Sequence, residues 1–459
     1  MSVPLLANDL NNALDYIAQG LEDPSATLNE LRQVLTKSQK QLDEYFLQGV
    51  SVHGLLTKRA QLIDRLLIRL WADNELLGKG RTLLATGGYG RGELHPRSDI
   101  DIAVLLAKPP SLSTRKAISK FVAALWDVGL EIGHSVRTPR ECAVEARHDL
   151  TITTNLMEAR LLDGDPLLLA DMQKRTGPKR IWPTEKYFNA KRTEQMVRHG
   201  KFDDAAHYVE PNLKEAPGGL RDLQTISWVA KRHFGTDSLN GLVAHGFLSE
   251  DELRALEIAQ AFLWRVRYGL HLITGRREDR VLFDYQRQLA KMFGYHNERN
   301  TRAVEQFMKH FYQSSTEIGR LNELLLALFQ ETIVSTGKKP DIKKLNRRFQ
   351  IHNQLIEVCN DKVFERYPFA LLEVFLLLQQ NSNIKGVRAS TIRHIRDNRD
   401  QIDEGFRADI RARSLFMEIM RQPRRLGREL ARMHRYGVLS RYLSVFGAVE
   451  GLMQFDLFH

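Results

Sequence analysis

The sequence predicts an α+β protein in which a small mixed sheet sits inside a largely helical chain. Three observations carry this. The stretch Thr82 to Leu106, TLLATGGYGRGELHPRSDIDIAVLL, holds two apolar runs of strand type on either side of a Gly-rich, basic turn. Leu130 to Arg137, LEIGHSVR, follows as a third strand. The rest of the chain places its apolar residues at helical spacing.

Taken in order, residues 1–80 read as helices. Asp23-Pro24-Ser25 opens one that runs to about Gln48. A second begins near Ser51-Val52 and carries Leu55, Leu62, Leu66, Leu70 and Trp71 on one face. Gly78-Lys79-Gly80 breaks this pattern ahead of the first strand. The segment 81–145 then reads as strand, phosphate-cradling turn, half-turn of helix, strand, a helix from Ser113 to Val128, and the third strand. Beyond Arg147 the reading is almost entirely helical, with Glu158 to Gly164 as a helix closing in a turn. A helical region at 146–335, a linker at Ser335–Pro340 and a helical segment at 341–459 complete the expected organisation.

The chemistry concentrates in the first stretch. A strand has a period of two, so Asp99 and Asp101 point to one face. Two adjacent carboxylates repel and are costly to desolvate, and a hard divalent cation such as Mg²⁺ relieves both penalties. Gly87, Gly88, Gly90 and Gly92 let backbone N–H groups approach an anion, and Arg91 and Arg97 add positive charge. The alternative for the same residues is an ordinary hairpin with solvated Asp at a strand edge. A second dense motif spans Glu210 to Gly235. There Pro217-Gly218-Gly219 forces a turn, Leu220-Arg221-Asp222 opens a helix, and Lys214 and Arg221 bracket the turn. This suits anion binding at a helix start, and it equally suits a capped helix with a solvated Arg.

Composition excludes several classes. Hydrophobic residues make up 43% and charged residues 27%, which is globular rather than disordered. No apolar run approaches the ~20 residues of a membrane helix, and MSVPLLANDLNNALD lacks a basic region ahead of an apolar core. Cys142 and Cys359 build neither a disulfide framework nor a Cys-based zinc site, which fits a reducing cytoplasm. A net charge of +11 suits nucleotide triphosphates or an acidic partner as well as nucleic acid. No aromatic-studded basic groove or DNA-binding module is present, so nucleic acid is not expected as a partner. Lys385 to Arg441 holds 15 Lys and Arg against 7 Asp and Glu. That run reads first as a solvated helix face, and second as a docking face for a missing domain or an acidic partner.

The stretch 82–106 resembles the signature of the nucleotidyltransferase superfamily, the fold shared with polymerase beta. Its Gly-X-Gly-X-X-Glu-Leu and Ser-Asp-X-Asp resemble the members that modify nitrogen-regulatory signalling proteins. Lys-X-X-Pro-Gly-Gly-Leu-Arg-Asp at 214–222, WRVRYGLHLITGRREDRVLFDYQ at 264–286, Val304–Met308, Met433–Leu439 and Gln454–His459 extend the likeness. Together they resemble the bifunctional uridylyltransferase/uridylyl-removing enzymes of bacterial nitrogen regulation, from about residue 55 onward.

The resemblance implies Mg²⁺-dependent transfer of UMP from UTP to a tyrosine hydroxyl of a PII-type protein, with release of pyrophosphate. It implies that Asp99 and Asp101 hold the metal and are catalytic. Gly87, Gly88, Gly90, Arg91, Ser98, Lys214 and Arg221 would bind the nucleotide and its phosphates. The superfamily sets a third carboxylate on the third strand, where Ser135 stands here. Glu131 or Glu93 would substitute, with Glu131 taken as the third catalytic residue, while His134 packs on the opposite face. A protein adenylyltransferase using ATP, or a nucleotide-binding docking module, are the other readings. The family continues into a metal-dependent HD domain and two ACT domains, and His459 matches the first His of that HD motif. A shortened chain without the uridylyl-removing activity is therefore expected.

Overall fold

The computed structural model describes residues 19–21, 23, 25–202, 209–236, 238–299, 301–334 and 341–449. The linker expected at Ser335–Pro340, and His459 with the truncated HD motif expected around it, lie outside the described residues. The chain forms two compact units. The first takes Met1–Lys214, Trp228–Gly235 and Ala261–His296, and the second takes Glu215–Ser227, Thr236–Gln260 and Asn297–His459.

In the first unit, helix α1 (Leu28–Leu47) starts later than the Asp-Pro-Ser signal suggests. Asp23 spends its carboxylate on the amide and hydroxyl of Ser25. Thr27 and Glu30 then form the reciprocal capping box that begins the helix. Helix α2 (Val52–Asp73) buries Leu55, Leu62, Leu66, Leu70 and Trp71, the predicted stripe. Strand β1 (Arg81–Ala85) leads into a single helical turn, α3 (Gly87–Gly90), so the helical turn falls on the glycines themselves. Strand β2 (Ile100–Leu106), helix α4 (Leu112–Asp127) and strand β3 (Ile132–Arg137) follow as predicted. Helices α5 (Pro139–His148) and α6 (Leu150–Met157) precede strand β4 (Arg160–Gly164).

The sheet order is β3-β2-β1-β4. Strand β1 pairs antiparallel with β2 and β4, and β2 pairs parallel with β3, so the sheet is mixed. Strand β4 replaces the helix expected from Glu158 to Gly164. Its pairing with the open edge of β1, Thr82 against Gly164 and Ala85 against Arg160, supplies backbone partners that local propensity does not register. Leu84, Ala103 and Leu105 from the sheet pack with Cys142, Ala146, Leu156 and Met172 from the helices behind it. This core anchors β1 and β2 rigidly, and their connecting turn and the leading end of β2 carry the acidic pair.

The second unit is not purely helical, as 341–459 was expected to be. It holds a sheet ordered β5-β6-β7-β8, formed by Ile342–Lys344, Phe349–His352, Leu355–Val358 and Gly386–Val387. The β6–β7 hairpin turns on Asn353 and Gln354, both at positive φ (49° and 67°). That is the geometry of a two-residue primed turn, but Gln replaces the usual Gly, so the sequence signal is faint. The predicted apolar helix near Phe369–Gln379 is Ala370–Gln380, and it is buried almost all round. Among the described residues, no helix is long and apolar enough to cross a membrane.

Candidate active site

Asp101 is the second residue of β2, and Asp99 stands one residue before that strand. The amide of Thr86 donates to the carbonyl of Asp101 at 2.9 Å, which ties the turn to the acidic strand. Gly87 enters the turn at φ +58°, a conformation that suits glycine. A Cβ at Gly87 would stand 2.9 Å from Oδ2 of Asp101, and one at Gly133 would stand 2.5 Å from Oδ1. The carboxylate of Asp101 therefore occupies a slot between two bare glycine backbones. Register places Gly133 directly beside Asp101, and Ser135 beside Ala103. The β3 position level with Asp101 thus lacks a side chain, because any side chain there would overlap the carboxylate.

Burial pushes the Asp101 carboxyl above its ordinary value, and the charge of Asp99 adds to this; Arg277 and Lys214 act in the opposite sense. Asp99 is half exposed and accepts a hydrogen bond from Arg277 Nη1 at 2.9 Å. Lys214 arrives on a segment pinned to the Arg277 loop. Leu213 N donates to Asp279 O, and Val281 N donates to Pro211 O, both at 2.9 Å. Sequence reasoning named Lys214 and missed Arg277, since nothing local in Arg276-Arg277-Glu278 points to a carboxylate 178 residues earlier.

Other predicted site residues have different surroundings. Arg91 bridges Glu93 (2.8 Å) and Glu158; burial works to lower its guanidinium, but the two carboxylates together outweigh it and hold the group above its ordinary value. Glu158, whose side chain is only 3% exposed, also accepts from Trp228 Nε1. Arg91 thus braces the turn from within, and Glu93, spent on Arg91, is not a bare carboxylate. The Cα of Gly90 faces the carbonyls of Glu158 and Ala85, where a Cβ would not fit, so this glycine serves close backbone packing. Gly88 lies in the same helical turn, and its carbonyl accepts from Glu93 N at 2.9 Å. Ser98 is half buried and donates its amide to His95 O at 3.0 Å. Glu131 is exposed immediately before β3, and its carbonyl accepts from Ile100 N at 3.0 Å. His134 is exposed rather than packed; its ring meets Trp126 edge-on at 6.3 Å.

Arg221 belongs to the second unit, where it pairs with Glu215 at 3.2 Å and Gln224 at 2.7 Å. In the same turn Gly218 N donates to Asp222 Oδ2 at 2.8 Å, so the anion that this glycine turn receives is the chain's own carboxylate. His95 and His271, absent from the sequence reading, are fully buried with ring centroids 5.8 Å apart. Burial first, then the nearby Arg267, pulls His95 well below its usual range and His271 down to about 3. Both rings are therefore neutral at physiological pH.

Asp99 and Asp101 offer oxygen donors of the kind Mg²⁺ prefers. The glycine slot keeps side-chain carbon away from Asp101. Mg²⁺ commonly takes one or two carboxylates and completes its shell with water and substrate phosphates, so this donor set fits it. Among the described residues, no group of three or more His, Cys, Asp or Glu is arranged to hold a metal by itself.

A mixed sheet with a glycine turn between two antiparallel strands, and two aspartates leading the second, is the arrangement of a nucleotidyltransferase. Residues 68–160 match the nucleotidyltransferase domain family, and the chain carries such a domain. Residues 186–326 match the GlnD PII-uridylyltransferase family, and residues 349–442 match the uridylyltransferase GlnD third domain. The chain is 50% identical over 443 residues to a bifunctional uridylyltransferase/uridylyl-removing enzyme of Nitrosococcus oceani, covering 96% of this chain and 50% of the relative. A protein of the same name in Pseudomonas aeruginosa (strain UCBPP-PA14) is 46% identical over 95% of this chain and 48% of its own length. Over nearly its whole length the chain is similar to the N-terminal half of these uridylyltransferase/uridylyl-removing enzymes. It spans about half the length of the curated relatives it matches.

Proposed function

We propose that this chain transfers UMP from UTP to a tyrosine hydroxyl of a PII-type signalling protein and releases pyrophosphate. The observation that carries the reading is the Asp99–Asp101 pair set against the Gly87 turn, with Arg277 and Lys214 supplying positive charge beside it. The names of the matching families and relatives supply the donor and the acceptor class.

In this reading Asp99 and Asp101 hold Mg²⁺, which when bound neutralises charge on the phosphates and polarises the reacting phosphorus. The amides of Gly87 and Gly88 face the triphosphate, and Ser98 lines the same lip. Lys214 and Arg277 donate charge-assisted hydrogen bonds to phosphate oxygens. Arg277 must exchange Asp99 for a phosphate as the nucleotide enters. Arg91 and Gly90 act from behind, holding the turn against Glu158. The free tyrosine pKa is about 10, so its proton needs an acceptor. Glu131, exposed at the start of β3, is assigned that role. Two cysteines and no membrane helix among the described residues accord with work in the cytoplasm.

The test is label transfer from α-labelled UTP to a PII-type protein in Mg²⁺, using this chain and an Asp99→Ala/Asp101→Ala double variant. Label on the acceptor with the unaltered chain alone supports the reading. Equal labelling by the double variant refutes it, and labelling from ATP in place of UTP reassigns the chain as an adenylyltransferase.

A further inference from the structure

The second unit contains a cleft of about 500 Å³ that the proposed transfer does not use. Arg320, Arg399, Arg407 and Arg441 line it, together with Ser440 and Gly437. No carboxylate is among its described lining residues. Four guanidinium groups around one cavity repel each other and are costly to desolvate unless an anion compensates.

For Arg407, Arg441 and Arg399 the described partners compensate little of the charge. Arg407 donates to the carbonyls of Arg441 (3.0 Å) and Ile402 (3.4 Å), which carry no net charge. Arg441 meets Asp400 at 2.5 Å, but Asp400 is 77% exposed and so well screened. Arg320 lines the same cleft, donates to His434 O at 3.4 Å and stands 4.0 Å from Glu317. Arg399 has no carboxylate within ion-pair distance among the described residues. Burial, then Arg320, Arg396 and Arg441, pulls its guanidinium below its ordinary value, with Glu317 opposing.

The cleft is also shaped for this cluster. A Cβ at Gly437, which sits at φ +74°, would stand 2.9 Å from Arg399 Nη1. The bare glycine admits the guanidinium to the cavity wall. Ser440 Oγ is buried and has no hydrogen-bond partner among the described residues. It is a neutral donor beside the arginines.

We infer that this cleft binds a small phosphate-bearing anion, held by Arg399, Arg320 and Arg441 with Ser440 as a neutral donor. Guanidinium forks match phosphate oxygens in pairs, and a cavity of this size admits a diphosphate or a nucleotide tail. The inference stands apart from the proposed transfer, since none of these residues belongs to the unit that holds Asp99 and Asp101.

The test titrates the full chain calorimetrically with inorganic pyrophosphate in EDTA at low salt, with parallel titrations of inorganic phosphate and UTP. Saturable binding should weaken at least tenfold in Arg399→Gln and in Arg441→Gln, and should persist in Asp101→Asn. Arg441 is 41% exposed, so its variant should keep the native circular dichroism spectrum and hold the test open even if Arg399→Gln unfolds. Binding should also weaken as salt rises, because the partners are ionic. Whichever of the three anions shows the Arg441 dependence identifies the phosphate source. The inference is overturned if none of them binds below about 10 mM, or if binding is indifferent to the Arg441 substitution in a folded variant.

Discussion

Gly133→Ala isolates the slot around Asp101. Gly133 has an ordinary strand conformation, so the substitution introduces no left-handed strain. Its sole direct effect is a methyl group 2.5 Å from Oδ1 of Asp101. Ordinary carbon–oxygen contact is about 3.4 Å, so one of the two groups must give by roughly 0.9 Å. The other oxygen of Asp101 already lies against Gly87, which blocks retreat in that direction. A misplacement of ~1 Å at a reacting group costs on the order of 10²-fold in rate, or about 2.7 kcal/mol of transition-state stabilisation. The overpacking itself should cost stability about 1 kcal/mol. The assay is initial-rate labelling of a PII-type acceptor from α-labelled UTP across a Mg²⁺ titration, with thermal melts in parallel. The matched control is Gly54→Ala in α2, where an added Cβ meets nothing within 4 Å. That control should keep full activity and gain about 0.5 kcal/mol from lower unfolded-state entropy. A Gly133→Ala rate within threefold of the unaltered chain, with native melting, would refute the claim that this glycine sets the position of Asp101.

Three further outcomes are expected. Asp101→Asn should abolish transfer and yet raise the melting temperature at neutral pH without metal. The folded-state pKa of Asp101 is raised, so the native state binds more protons than the unfolded state just above the ordinary carboxyl value. The ionised Asp101 thus destabilises the fold in full above its raised pKa and not below the ordinary one; a variant melting below the unaltered chain at pH 7 would contradict this. Glu158→Gln leaves Arg91 with Glu93 alone and weakens the hold on Trp228, and should cost on the order of 3 kcal/mol in urea melts; a loss under 1 kcal/mol would show that Glu158 is not the brace. Arg277→Ala removes a half-exposed ion pair and should change stability by less than about 1 kcal/mol. It should also lower the Mg²⁺ concentration needed for half-maximal binding, since Arg277 no longer competes for Asp99; unchanged metal binding by calorimetry would count against that competition.

The elements that were legible in advance are those whose causes lie within a few residues. Helix α2 announces itself by Leu55, Leu62, Leu66, Leu70 and Trp71, which share a face whatever surrounds them. Strands β1 to β3, and the placement of Asp99 and Asp101 on one lip, follow from apolar runs, glycine punctuation and a period of two. Strand β4 and the β5–β8 sheet were read as helix. Short segments such as RLLDG have no decisive local preference and become strands because an edge stands ready to pair with them.

The same division runs through the site. By its sequence alone the chain determined its acidic pair, its glycine turn and the class of chemistry that oxygen donors beside a phosphate cradle support. Only tertiary structure decided which residues surround that pair. It set Gly133 beside Asp101, brought Arg277 to Asp99 across 178 residues, and paired Arg91 with Glu158. A side chain's chemistry travels with its residue type, whereas its partner depends on which distant segments the core draws together. A guanidinium therefore reads identically in sequence whether it will brace a turn, guard a carboxylate or line a cleft.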